Sequence, residues 1–335
     1  MLLSKLVRQP VRVQWTRQDE LGWDPKGPQQ LLDLKAGLDA AGRIVAWDVQ
    51  MWLPATRPGS RPLLAVDAVG LSQDNGQNAG LLSQNGDPPY EAANVRVVVH
   101  NVKETPLRPA NLRAPGKIAN IFAVESFTDE IAAAIGVDPV AFRLSRLTDP
   151  RAIEALTRAT TTFGWQTRTS PNPQARQGNL LTGRGVAYAR YKQAENYVAM
   201  AMEVAVDPAT GTISVKRVVC AHDCGLVVNP DALRNEVEGC IAQTLSRTLH
   251  EEVMFDRSRV TSVDWASYPV LTFPEVPAID VILIDRPDQP LLGAGEAATA
   301  PVAAALGNAI FDATGARLRT APFTPDRVKA ALAQK

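Results

Sequence analysis

The hydrophobic period of this chain changes from strand-like to helical and back again, and this alternation constrains the fold more than any other feature. Residues 31–38 and 44–52 flank a Gly-containing turn, which predicts a β-hairpin. From Ile118 apolar residues recur at helical spacing, and from Tyr197 they alternate again. We therefore expect an α+β fold with mixed sheets flanked by helices.

Capping residues predict where the helices begin and end. Gly136 should close the helix that starts near Ile118, and Asp138 followed by Pro139 should begin the next one. In the second half, Asn229 followed by Pro230 predicts another helix start. Further helices are predicted over 151–163 and 301–314. Alternation predicts a strand over 197–206, and strands are also predicted over 212–219 and 281–284.

Three other segments complete the predicted organisation. Residues 11–15 alternate at period two and are predicted to form a strand, whereas residues 54–94 are rich in Pro, Gly, Asn and Ser and are predicted to form a long surface excursion. Residues 166–182 contain Ser-Pro-Asn-Pro and are predicted to be a linker. This divides the chain into a first unit, residues 1–165, and a second unit, residues 183–335.

Composition excludes several classes of protein. The chain has 35 Lys and Arg against 35 Asp and Glu, so its charge balance gives no general attraction to nucleic acid or to anionic membranes. Its three cysteines are too few for a disulfide framework or an iron–sulfur cluster within this chain. No apolar run reaches the length of a membrane span, and no signal peptide is visible, so the compartment, cytoplasmic or periplasmic, stays open.

Three short stretches contain residues suited to binding or catalysis. Gly293-Ala294-Gly295-Glu296 places a carboxylate beside flexible backbone, although for this stretch alone a plain glycine turn is the favoured interpretation. Arg113-Ala114-Pro115-Gly116 precedes a helix and could form an anion-binding corner, but for this stretch alone an ordinary entry turn with a solvated Arg is the favoured interpretation. Cys220, His222 and Cys224 share one face of an extended strand; their spacing is unusual for zinc, and ordinary strand residues are the favoured interpretation.

The order of these stretches resembles the large, molybdopterin-binding subunit of the xanthine oxidase and aldehyde oxidase family. The glycine–glutamate stretch resembles the loop that carries that family's essential base, and the arginine stretch resembles its arginine loop. Asp223-Cys224-Gly225, Asn229-Pro230 and Val237-Glu238-Gly239 resemble the segment that lies against the pterin. The Arg-Ala-Pro-Gly form is most similar to the branch that contains the beta chain of isoquinoline 1-oxidoreductase. The likeness is to the C-terminal part of such a large subunit.

The resemblance implies roles for particular residues. Glu296 would be the catalytic base, with its pKa moved toward neutrality by a largely apolar pocket. The residues implied to contact the cofactor are Arg113, Ala114, Gly116, Glu236, Gly239, Gly293 and Gly295, and no residue is implied as a direct metal ligand. The cofactor would be molybdopterin cytosine dinucleotide with molybdenum. Residues 1–165 would form the C-terminal part of the first cofactor domain and residues 183–335 the second.

The chain departs from the family pattern in two ways. Glu236 stands where the family usually has Gln, and Cys240 and Thr244 stand where it usually has Gly. A carboxylate without a partner at position 236 would need to be protonated, so Glu236→Gln is expected to retain cofactor at least as well. Both departures leave open a non-catalytic or truncated half-subunit that scaffolds a split enzyme.

The resemblance also implies a reaction and partners. The reaction is oxidative hydroxylation of an N-heteroaromatic (isoquinoline-like) or aldehyde substrate with water as the oxygen source. Electrons would leave through iron–sulfur clusters on a separate small [2Fe-2S] subunit, and a cytochrome c is a further candidate acceptor. The family's Gly-Gly-Phe-Gly loop would precede the segment that opens this chain. An obligate partner is therefore expected, namely the N-terminal half of the large subunit if it is encoded separately.

Overall fold

The computed structural model describes residues 1–54, 80–102 and 104–334. The first half of the chain combines one small sheet with several helices. In chain order its elements are α1 (Leu2–Val7), α2 (Arg17–Trp23), β1 (Leu31–Leu38), β2 (Ile44–Pro54), α3 (Gly80–Ser83), β3 (Val95–Val102), α4 (Lys117–Ala134), α5 (Pro139–Leu144) and α6 (Pro150–Phe163).

The second half is built on a larger sheet. Its elements are β4 (Arg176–Gln177), β5 (Leu180–Arg190), β6 (Tyr197–Val206), β7 (Ile213–Asp223), α7 (Pro230–Leu249), β8 (Ala278–Leu283), α8 (Val302–Thr314) and α9 (Pro325–Ala333). Short 3-10 turns lie at Tyr191–Gln193, Phe273–Glu275 and Ala297–Thr299.

Both sheets mix parallel and antiparallel pairs, as expected. In the first sheet, β1 and β2 are antiparallel and β2 and β3 are parallel, so β2 is the central strand. In the second sheet the order is β4-β5-β6-β7-β8, and among these described strands only β7 and β8 run parallel. The hairpin predicted over 31–52 and the strands predicted over 197–206 and 212–219 are confirmed.

Helices cover both faces of the second sheet. Helices α7 and α8 share one apolar core with the face of the sheet that carries Val198 and Met200. Helix α6 packs on the opposite face, against Tyr188 and Ala199. Helix α4 packs against α8 and thereby connects the two halves of the chain. The division at residues 166–182 stays a prediction, although α6 belongs in its packing to the second sheet.

Capping side chains behave as their sequence positions predicted. The side chain of Asp138 accepts from the backbone N–H groups of Val140 and Ala141, and Asn229 accepts from Ala232 N. Gly136 lies just beyond the end of α4, with φ of 68°. The capping bonds satisfy N–H groups that have no partner within their own helix, which explains why the helix boundaries could be predicted.

The strand predicted over residues 11–15 is wrong. These residues have no regular structure, and Val11, Val13 and Trp15 are exposed. None of the described strands pairs with them, and alternation alone cannot supply the missing backbone partners. Most of the surface excursion predicted over 54–94 lies outside the described residues. Among the described helices, none has the length and apolar character needed to cross a bilayer.

Helix α3 supports the start of α4. Gly116, the residue before α4, has φ of 76°, and a Cβ added there would lie 2.6 Å from Leu82 Cα. The Asn120 amide donates to the carbonyl oxygens of Leu82 and Gln84, at 2.7 and 2.8 Å. Only glycine therefore lets the arginine loop, residues Arg113 to Gly116, approach α3 this closely.

Gly116→Ala should destabilise the protein markedly, because the new methyl group meets backbone that cannot move independently. The left-handed conformation alone costs about 1–2 kcal/mol for a residue with a Cβ. Gly136→Ala is the matched control, since Gly136 also has positive φ but open space around its Cβ position. Denaturant unfolding should show a larger loss for Gly116→Ala; equal losses would contradict the role assigned to α3.

Candidate active site

The predicted base and the arginine loop meet in the structure although 182 residues separate them. Glu296 directly follows Gly293-Ala294-Gly295, the glycine loop, and precedes the 3-10 turn that leads into α8. Its Oε2 accepts a 2.7 Å hydrogen bond from the backbone N–H of Ala114, and its Oε1 accepts a 2.5 Å bond from the Tyr191 hydroxyl. Both carboxylate oxygens are thus held, which fixes the orientation of the side chain.

Arg113 ties the glycine loop to α7. Its Nε and one terminal nitrogen donate to the carbonyl oxygen of Gly295, at 2.8 and 2.6 Å. Its other terminal nitrogen donates to Gln243 Oε1 at 3.1 Å, and the guanidinium forms an ion pair with Glu236. A guanidinium can make all these bonds at once because its five N–H groups lie in one plane.

The contact with Arg113 corrects the expectation for Glu236. The family pattern suggested a carboxylate without a partner at this position, and that premise is wrong. The side chain of Glu236 is also 43% exposed, so it is not the buried carboxylate that the expectation assumed. The reason for expecting Glu236→Gln to improve cofactor retention is therefore removed.

Cys240 does not obstruct the loop. The residue is buried, and its Sγ lies 3.9 Å from the carbonyl oxygen of Gly295. Burial raises the pKa of the Cys240 thiol to about 11, so the thiol stays protonated near neutral pH. The side chain fills space beneath the glycine loop instead of projecting from it.

The other residues that were predicted to contact the cofactor have different surroundings. Gly116 faces α3 of this chain. Gly239 and Gly293 have nothing within 4 Å of an added Cβ, so both border open space. Ala114 is buried and adopts φ of 59°, a rare conformation for a residue with a Cβ. This conformation accompanies the bond from its N–H to Glu296.

Sequence reasoning missed Tyr191 and Lys117. Tyr191 is 1% exposed and directly follows strand β5, and Lys117 is 1% exposed at the start of α4. The Nζ atom of Lys117 lies 5.6 Å from the centre of the Tyr191 ring and 3.4 Å from the Leu81 carbonyl oxygen. Neither residue belongs to a spacing pattern; Lys117 had one signal, its place directly after the Arg-Ala-Pro-Gly stretch.

The pKa of Glu296 differs from the sequence expectation. Burial raises the pKa of its carboxyl, but hydrogen bonds from Tyr191 and Ala114 lower it. The positive charges of Lys117 and Lys192 lower it further, and the resulting pKa lies below its ordinary value. The expected shift toward neutrality is wrong for this arrangement, because polar donors and cations surround the carboxyl.

The third stretch forms no metal site in the part of the chain that is described. Cys220, His222 and Cys224 are all buried near one end of strand β7. No group of three or more His, Cys, Asp or Glu side chains among the described residues is arranged to hold a metal ion. Asp223 instead pairs with Arg151 and Arg286, which joins β7 to α6.

Comparison with known proteins agrees with this architecture. Residues 1–147 and 159–277 each match a model of a molybdopterin cofactor-binding domain. The chain belongs to the molybdopterin-binding large-subunit family of xanthine oxidase-type molybdenum hydroxylases and forms a portion of such a subunit.

Individual relatives cover the chain to different extents. A subunit of nicotinate dehydrogenase from Pseudomonas putida is 43% identical over 343 residues, which cover 99% of this chain and 28% of that protein. The beta chain of isoquinoline 1-oxidoreductase from Brevundimonas diminuta is 36% identical over 205 residues, covering 61% of this chain and 25% of that protein. The chain therefore spans about a quarter of the length of these two relatives.

Solved structures support the fold. Quinoline 2-oxidoreductase from Pseudomonas putida 86 has a TM-score of 0.81 at 14% identity, covering 100% of this chain and 66% of that one. Aldehyde oxidoreductase from Desulfovibrio gigas has a TM-score of 0.74 at 15% identity, covering 96% of this chain and 51% of that one. The expected α+β fold of molybdenum hydroxylases is confirmed.

Proposed function

We propose that this chain is a catalytic portion of a molybdenum-dependent hydroxylase that acts on an N-heteroaromatic compound with water as the oxygen source. The observation that carries the proposal is the position of Glu296, whose carboxylate is fixed between two loops by Ala114 and Tyr191. A relative that is 43% identical over 99% of the chain is a subunit of nicotinate dehydrogenase. A more distant relative, 27% identical, is an aldehyde dehydrogenase, so aldehydes are the second substrate class.

The residues at the site fit a molybdenum–pterin cofactor. Gly293 and Gly295 present exposed backbone, and the free space at Gly293 and Gly239 leaves room for a ligand to approach. Arg113 lies beside this backbone with its side chain 26% exposed, and its guanidinium, although paired with Glu236, can donate to an anionic or oxo ligand. When bound, the cofactor would supply the two-electron oxidation, and the protein would supply binding, orientation and electrostatics. We propose the cytosine dinucleotide form of the cofactor.

Glu296 is proposed to accept a proton from the water-derived oxygen that is added to the substrate. A general base must be ionised and correctly oriented before it can act. The two hydrogen bonds to its oxygens stabilise the ionised form, and the neighbouring Lys117 and Lys192 do so electrostatically. Arg113 would keep the glycine loop, and with it Glu296, at a fixed distance from the arginine loop.

The non-catalytic alternative is not favoured by the site. It depended on Glu236 and Cys240 as signs of a decayed cofactor groove, and on the family's upstream cofactor loops, which are expected outside this segment. In the structure Glu236 has Arg113 as its partner, and Cys240 is packed beneath the glycine loop. Both departures from the family pattern are therefore compatible with an intact site.

We propose that the chain works with partner chains. Its relatives are named as subunits, and a small [2Fe-2S] protein, the remaining portion of the large subunit and a cytochrome c are the proposed partners. Helix α1 gives physical support, since its Leu2, Leu3, Leu6 and Val7 are all exposed and it buries no residue. Clustered exposed apolar side chains commonly mark a contact with another protein.

Purification of the native assembly tests this function. We expect molybdenum and pterin in the assembly, oxidation of nicotinate or isoquinoline coupled to dye reduction, and one ¹⁸O atom in the product when the reaction runs in H₂¹⁸O. A metal-replete assembly that oxidised only aldehydes would overturn the heteroaromatic assignment. A metal-replete assembly that oxidised neither class would overturn the enzymatic proposal.

A further inference from the structure

Tyr191 is held in an unusual turn. It directly follows strand β5, and the two residues after it, Lys192 and Gln193, both have positive φ, at 52° and 63°. Such backbone is strained for residues with a Cβ and persists only where surrounding contacts enforce it. The chain therefore turns sharply just after the tyrosine that touches the proposed base.

Asn85 enforces this turn. Its side-chain amide donates to the Arg190 carbonyl oxygen at 2.8 Å, and its side-chain oxygen accepts from the Lys192 N–H at 3.0 Å. Asn85 is 5% exposed and itself has φ of 65°. One side chain thus bridges the residues on either side of Tyr191.

The hydroxyl of Tyr191 contacts the proposed base directly. Tyr191 is buried, and its hydroxyl donates to Glu296 Oε1 at 2.5 Å. Burial and the neighbouring Glu296 raise the pKa of Tyr191, so the hydroxyl keeps its proton and can only donate to an ionised carboxylate. A buried hydroxyl pointed at an ionised group favours the ionised form of that group.

We propose that Tyr191 is a positioning residue that holds Glu296 ionised and oriented as the base, and that Asn85 fixes the turn that carries Tyr191. This inference rests on the proposed function of Glu296. It assigns a task to two residues that have no part in the glycine loop, the arginine loop or the segment expected against the pterin.

Other charged groups near Glu296 act in addition to Tyr191. Lys117 and Lys192 both lower the pKa of Glu296, and Glu195 pairs with Lys192 at 3.1 Å. Arg113 reaches the loop through Gly295 O and not through the carboxylate. Removal of the Tyr191 hydroxyl leaves all of these charges in place, so the effect of the hydrogen bond can be measured separately.

The first test is spectroscopic and does not depend on turnover. The carboxyl band of Glu296 is identified in infrared difference spectra of the assembly by its loss in Glu296→Gln, and is then titrated in Tyr191→Phe. We expect the pKa of Glu296 to rise by about one unit, the scale of one lost hydrogen bond to a carboxylate. Asn85→Ala should shift the pKa in the same direction by a smaller amount, and serves if Tyr191→Phe does not fold.

Tyr197→Phe is the matched control. The hydroxyl of Tyr197 also donates to a carboxylate, but that carboxylate is Asp149, at 2.7 Å, and not Glu296. It should leave the Glu296 titration unchanged. An unchanged Glu296 pKa in Tyr191→Phe, or equal shifts in Tyr191→Phe and Tyr197→Phe, would overturn the proposal.

The second test measures the pH dependence of kcat/KM in the same assembly. Because a lowered pKa keeps the base ionised down to lower pH, Tyr191→Phe should move the acid limb upward by the same amount as the infrared titration. A matching shift supports both proposals. An infrared shift with an unchanged acid limb would support the role of Tyr191 but overturn Glu296 as the base.

Discussion

Glu296→Gln should lower turnover about 100- to 10,000-fold, the loss expected when a positioned general base is removed. The amide has the same shape as the carboxylate, and its oxygen can still accept from Ala114 while its NH₂ group donates to the Tyr191 hydroxyl. The fold and the bound metal should therefore be retained, so that the loss reports on proton transfer and not on assembly.

The measurement is turnover per bound molybdenum in the purified assembly. Glu203→Gln is the matched control, because Glu203 is an exposed glutamate on strand β6 and belongs to no part of the candidate site. The control should keep its turnover. Near-normal turnover in a metal-replete Glu296→Gln assembly would show that another group accepts the proton.

The second large effect concerns stability. Arg143 is fully buried and donates to Glu125 Oε2 and to the Glu125 carbonyl oxygen, both at 2.9 Å, and to the Pro139 carbonyl oxygen at 3.0 Å. Arg143→Met would leave the buried Glu125 carboxylate without its cation. Breaking a buried ion pair in this way typically costs about 3–5 kcal/mol.

Denaturant unfolding of the assembly, with Arg319→Met as control, measures this loss. Arg319 pairs with Glu130, but its side chain is 66% exposed, so its removal should cost at most about 1 kcal/mol. The double variant Glu125→Gln, Arg143→Met should recover part of the loss, since no unpaired charge remains at position 125. Equal losses in the two single variants would contradict the structural role of the buried pair.

This buried cluster also connects to the candidate site. Glu125 accepts from the Tyr90 hydroxyl at 2.6 Å and from the Tyr188 N–H at 2.8 Å. Tyr188 lies on β5 three residues before Tyr191, and Glu125 lies on α4, which begins at the arginine loop. The cluster therefore fixes α4 and β5 to each other, and these are the elements that deliver the two donors to Glu296.

Local sequence signals predicted the regular elements well. Asp138, Asn229 and Gly136 marked helix ends correctly because each acts on its helix through residues only a few positions away. The strand over residues 11–15 failed because a strand requires a neighbour, and alternation does not reveal whether one exists. The family resemblance supplied what local patterns could not, namely that the glycine loop and the arginine loop belong to one site.

The contacts that determine the electrostatics of the site could not be predicted in this way. The partner of Glu236 is 123 residues away, and Tyr191 lies 105 residues from Glu296. The family resemblance implied a largely apolar pocket around Glu296, whereas the structure surrounds its carboxylate with donors and cations, which reverses the direction of its pKa shift. Such effects depend on positions within a few ångströms, which one sequence does not contain.

Helix α3 and the residues that follow it, Gln84 and Asn85, determine how the site would unfold locally. Leu82 lies against Gly116 beside the arginine loop, and Asn85 holds the turn that carries Tyr191. The two donors to Glu296, the Ala114 N–H and the Tyr191 hydroxyl, therefore both depend on the segment from α3 to Asn85. A fluctuation that displaces this segment would break both hydrogen bonds together. Opening of the site should then be cooperative, a single sub-global event and not two independent ones. The carboxylate would pass between two states, held at both oxygens or held at neither.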